Sequence, residues 1–197
     1  LFNNNFVLFL RHQLKSLKEM SKNFNFVFNG LQIVAWVIFV GLCIETGGLI
    51  VNFIFSIFKP EFIQNLYQKL DLTQMYRVSK WAFFGIYGFI LSISILKVFL
   101  FFIVIRLMYK MDLTKPFNTF VSNQILKISY YTLSIGLFSF IANQVAKYLM
   151  HHDFATDSLS QFWVDSQAFI LMGAVIYIIA TIFKKGVDIQ KENDLTV

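Results

Sequence analysis

Charge is scarce in this sequence. Of its 197 residues only 14% are Asp, Glu, Lys or Arg, against about a quarter in a soluble domain. A chain so poor in charge cannot cover a water-facing surface, which excludes an ordinary soluble globular fold. Cysteine is nearly absent. Cys43 is the only one, so no intrachain disulfide is possible, and its place inside an apolar run suits a small apolar filler. Two Pro and nine Gly are too few for a collagenous or low-complexity chain. The signatures of catalysis are missing too: H-E-x-x-H, a Walker phosphate loop, G-x-S-x-G and G-x-G-x-x-G do not occur. Neither an enzyme nor a cofactor is expected.

What is abundant is apolar. The chain is 57% hydrophobic, with 25 Phe and 8 Tyr, and its mean hydropathy is +0.62. Residues 31–58 set the pattern, with Glu45 as the single ionisable side chain apart from Cys43. At about 1.5 Å per residue this run would measure roughly 42 Å, against a hydrocarbon core of about 30 Å. It can therefore span a bilayer with tilt, with a kink near Gly47 and Gly48, or with an end in the headgroups. Further runs at 81–105, 128–149 and 162–183 repeat the theme. The last has its apolar heart at 168–183, with Asp165 and Gln167 at its edge. The predicted fold is all-α, a polytopic membrane protein with four transmembrane helices in a bundle.

Ahead of the first run, MSKNFNFVFNG from Met20 reads as a natural start. Residues 1–19 are then an upstream extension or an interfacial amphipathic segment. Phe6, Leu10, Leu14 and Leu17 recur there at helical spacing among Arg11, Lys15 and Lys18. Residues 20–197 form one membrane domain.

Lys and Arg decide orientation. Segments 1–30, 106–127 and 184–197 together hold eleven, and the two connections on the opposite side hold five. Without residues 1–19 the counts are eight against five. The positive-inside rule puts both termini in the cytoplasm. The formal charge of +6 thus reflects orientation and anionic lipid, and no direct nucleic-acid binding is expected. In the first connection Pro60 opens a short helix, with Phe62, Leu66 and Leu70 at spacing four for the outer leaflet. In the second, MDLTKPFNTF, Asp112 or Thr114 caps a helix that Pro116 opens and that runs into the third span.

Few residues suggest chemistry. Glu45 and Lys97 are each the lone charge in their span, and a charge at the bilayer centre costs at least about 2.5 kcal/mol and seeks a partner. Antiparallel packing of the first two spans leaves an axial gap of roughly 7 Å between them. Because helical side chains lean toward the N-terminus, the two lean toward each other. A register-fixing pair and a substrate, ion or proton site are both open readings. Gly85, Gly88, Gly136, Ser139 and Ala142 are small enough for close helix contact. His151, His152 and Asp153, near Asp157, are weak metal candidates, because adjacent His side chains point apart. A solvated polar loop is expected there, with no metal. In the tail FKKGVDIQKENDLTV, Lys184 and Lys185 anchor the last span and Gly186 is expected to end its helix. Beyond it Val187, Ile189 and Leu195 mix with Glu192, Asn193 and Asp194, the composition of either a solvated end or a docking segment.

The tail resembles the closing motif of a bacterial membrane-protein family catalogued as domain of unknown function 2975. GLCIETGGLIVNFIFS, SILKVFLF and DLTKPFN are similar to other stretches of that family, and the resemblance runs over roughly 20–197. It implies a four-helix, multi-pass protein of the bacterial cytoplasmic membrane, with no established activity. It also implies a gene partner that is a small helix-turn-helix regulator. Three functions are compatible with these readings. The first is a non-enzymatic membrane partner or sensor for such a regulator, docking it on 106–127 and 184–197. The second is a transporter or channel subunit using Glu45 and Lys97, which would need a homo-oligomer. The third is a structural or immunity-type membrane protein.

Overall fold

A computed structural model describes residues 2–58, 72–111, 117–152, 154, 159, 162–163 and 165–195, with side chains from residue 27 onward except at 74, 194 and 195. The described elements are five helices: α1 (Phe2–Phe58), α2 (Thr73–Val78), α3 (Lys80–Lys110), α4 (Thr119–Met150) and α5 (Ser166–Leu195). Four stretches are long and apolar enough to cross a membrane: Val27–Phe58, Lys80–Lys110, Thr119–Met150 and Ser166–Asn193. The all-helical, four-span class read from the sequence is the one observed. α1 continues unbroken from Phe2 through Gly47 and Gly48 to Phe58.

Capping side chains set the helix starts and move two of the expected ones. Ser79 accepts the backbone N–H of Ala82 at 3.3 Å and opens α3. Asn118, not Asp112 or Thr114, caps α4, accepting from Val121 N at 2.9 Å. α4 thus begins well before 128 and runs through the third span as expected; residues 112–116 lie outside the described ones. Asp165 Oδ1 accepts from the backbone nitrogens of Gln167 and Ala168, each at 3.1 Å. Asp165 and Phe162 therefore precede the fourth span. Each such cap satisfies N–H groups that a helix start leaves unpaired. The expected outer-leaflet helix at 60–70 also falls outside the described residues.

The spanning helices pack chiefly in chain order: α1 on α3, α3 on α4, α4 on α5. Each pair is antiparallel. Phe39 meets Phe102 and Phe53 stacks on Tyr87 across α1 and α3. Phe99 meets Tyr131 and Phe89 meets Phe138 across α3 and α4. The face holding the ends of α3 and α5 and the start of α4 is called the terminal face below.

The closest crossing is between α4 and α5. A Cβ on Gly136 would stand 2.8 Å from Ile170 Cγ1, and one on Gly173 would stand 2.9 Å from the backbone nitrogen of Leu133. Ser129 Oγ donates to Gly173 O at 3.0 Å. Small residues let the backbones approach, as membrane helix pairs require. Ser139 and Ala142 are fully buried as expected, but Gly85 and Gly88 have open space around them and mediate no close contact.

The main core sits at the face opposite the terminal one. Leu72 and Met75 of the α2 region, Phe83 and Tyr87 of α3, Leu149 of α4, and Leu159 and Phe162 of the last connection close over Leu49 of α1. Tyr87 Oη donates to Leu49 O at 3.1 Å. The last connection is therefore more than a solvated polar loop: His151 and His152 are exposed, while Leu159 and Phe162 plug the end of the bundle. Large apolar side chains remain on the outside of every span, Val37, Ile44, Leu171 and Ile182 among them. That surface fits lipid. Cys43 lies on it, exposed, and fills no gap in the core as had been expected.

Candidate functional site

Two places in the fold collect the residues that the sequence singled out. The first is inside the membrane. The register that joins Phe39 to Phe102 and Phe53 to Tyr87 also brings Glu45 of α1 opposite Lys97 of α3. Both side chains are half-buried. No direct hydrogen-bonded contact joins them. Neighbouring Thr46 and Ser94 are buried, and Thr46 Oγ1 has no hydrogen-bond partner. The two helices thus hold opposite charges beside small polar groups, an arrangement that can lock register or bind a small polar solute.

The second place is the terminal face. α5 does not stop at Gly186, as a glycine after an apolar run had suggested. It continues to Leu195. The reason is packing. Phe117, just ahead of the Asn118 cap, lays its ring 5.0 Å from that of Phe183, and a Cβ on Gly186 would stand 3.1 Å from the Phe117 ring. Gly186 is thus the flat spot on α5 that accepts Phe117, and Val187 beside it is buried. Lys184, Lys185, Ile189, Lys191, Glu192 and Asn193 are exposed on the end of α5. The side chains of Asp194 and Leu195 lie outside the described ones. The second connection and the tail are therefore in contact at Phe117 and Gly186. Phe117 was missed as a functional residue. Its only sequence signal is its position directly after Pro116.

Of the weak metal candidates, His151 and His152 are described and exposed. His152 folds back on α4, its Nδ1 3.0 Å from Tyr148 O and its ring 4.5 Å from that of Tyr148. Asp153 lies outside the described residues, and among the described ones no three His, Cys, Asp or Glu converge on a metal position.

A family profile described as "Protein of unknown function (DUF2975)" matches residues 66–197. SILKVFLF, DLTKPFN and the tail motif fall within the match; GLCIETGGLIVNFIFS lies before it. No curated protein and no solved structure matches the chain.

Proposed function

The chain belongs to the DUF2975 family of proteins of unknown function, and on that premise we propose that it is a non-enzymatic membrane partner or sensor for a cytoplasmic regulator. The terminal face is cytoplasmic in this reading, by the Lys and Arg count, and the membrane is the bacterial cytoplasmic one that the family resemblance implies. The observation that carries the proposal is the Phe117–Gly186 contact. It couples the second connection to the end of α5, which exposes a mix of charge and Ile189 and in this reading projects into the cytoplasm. A change in α4–α5 packing would move that helix and alter what it presents.

The partner is proposed to be a small helix-turn-helix protein, held by the projecting helix through its exposed face. The test is a native pull-down in mild detergent, comparing the whole chain with one ending at Lys185. A DNA-binding regulator retained by the whole chain and lost from the truncation supports the proposal. Retention that ignores the tail contradicts it.

A second reading, a solute transporter or channel subunit, has the facing Glu45 and Lys97 in its favour. The apolar plug around Leu159 and Phe162 is the gate that this reading would have to open. Solute flux in liposomes that vanishes in Glu45→Gln would support it.

A further inference from the structure

Near the terminal face, a cleft of about 430 Å³ lies between α1 and α3. This volume falls in the range of small-molecule sites, about 300–1,000 Å³. Trp36 and Phe39 of α1 and Phe102 and Ile105 of α3 form its walls, and the lining as a whole, the stems of Arg106 and Lys110 included, is almost wholly apolar. At its edge stand two cations on successive turns of α3, Arg106 and Lys110. Both are held against one ring: Arg106 Cζ lies 6.0 Å and Lys110 Nζ 5.8 Å from the centroid of Phe120 on α4. Among the described residues neither pairs with a carboxylate; Asp112, the next acidic residue, lies outside them.

From this juxtaposition we propose that the cleft is a binding site for one anionic phospholipid. An acyl chain lies against Trp36, Phe39, Phe102 and Ile105, and the phosphate lies just outside the rim, within reach of the Arg106 and Lys110 charges. Complementarity selects this occupant. A water-soluble anion would leave the aromatic walls uncovered. A zwitterionic lipid would set its own cation near two others. An anionic amphiphile satisfies both parts at once, and basic pockets between spans bind such headgroups. The depth agrees, because Arg106 and Lys110 occupy the last turns of a span, where a phosphate lies, and Trp36 sits within the apolar layer below. This site is independent of the docking helix: it lies between α1 and α3, and its occupant is lipid.

The experiment reconstitutes the full chain in nanodiscs of equal phosphatidylglycerol and phosphatidylcholine, extracts it in mild detergent and counts retained lipids by native mass spectrometry. Two cations near a membrane surface predict roughly a thirtyfold preference for phosphatidylglycerol. The preference should collapse toward parity in Arg106→Gln/Lys110→Gln. It should persist in Lys184→Gln/Lys185→Gln, which removes two cations elsewhere on the same face, and in the charge-keeping Arg106→Lys/Lys110→Arg. Ile105→Trp, which fills the cleft and keeps both charges, should lower retention of either lipid. Circular dichroism selects folded variants, and the charge-keeping and cleft-filling changes hold the test open should the neutralised one unfold. Equal retention of both lipids by the parent overturns the proposal. So does equal loss in the two neutralised variants, or displacement of the lipid by millimolar inorganic phosphate.

Discussion

Individual residues divide here into those whose size matters and those whose charge matters. At Gly173 an added methyl would meet a backbone nitrogen at 2.9 Å, and backbone yields less readily than a side-chain tip. Gly173→Ala should therefore destabilise the fold by about 1–3 kcal/mol, the usual cost of overpacking. Gly85→Ala meets open space and should be neutral or stabilising by up to about 1 kcal/mol, since Gly is a poor helix former. Unfolding from mixed micelles with increasing denaturing detergent compares the two. Glu45 and Lys97 carry the charge prediction. Lys97→Met alone should destabilise more than Glu45→Gln/Lys97→Met, with a coupling of about 1 kcal/mol, typical of polar contacts between membrane helices. Additive losses in the same assay would mean that the two do not interact. Both charges were legible in the sequence as the odd residues of apolar runs. Which glycines matter was not. Gly85 and Gly136 are equally small, and only the crossing of α4 with α5 decides between them.

Among the elements, α5 departs most from its sequence pattern. Gly186 followed by a polar stretch carries the signal of a helix end, yet the helix runs on, because Phe117 covers the glycine and Phe183 together. Local propensity lost to a contact from a segment far off in sequence, which no window along the chain can reveal. The caps were hidden for a related reason. Asn118 and Asp165 are good capping residues, but so are Asp112 and Thr114, and side-chain chemistry alone does not choose among them. Removing the Phe117 ring should release the tail. In Phe117→Ala the amides of 187–193 should exchange with deuterium at least about tenfold faster, equivalent to roughly 1.4 kcal/mol of lost local stability. The amides of 129–142 should stay protected. Unchanged exchange at 187–193 would show that α5 stands without Phe117.

For the molecule as a whole, apolar length and the scarcity of charge were sufficient to read four spans. Antiparallel packing of the first two spans was legible as well; the close crossing of the last two and the asymmetry between the two faces were not. The face opposite the termini is sealed by a core drawn from α1, α2, α3, α4 and the last connection. The terminal face carries the lipid cleft and the projecting helix. Such asymmetry arises because the connections on the sealed side fold back with Leu72, Met75, Leu159 and Phe162, while the other side ends in exposed Lys and Arg. The docking proposal requires the projecting helix to meet the cytoplasm. Single-cysteine labelling tests this most directly, in a Cys43→Ala background with Gln190→Cys or His151→Cys and an impermeant maleimide. The account predicts that Gln190→Cys reacts in inverted vesicles but not in intact cells, and that His151→Cys does the reverse. Reaction of Gln190→Cys in intact cells, or of both positions from one side, would contradict it.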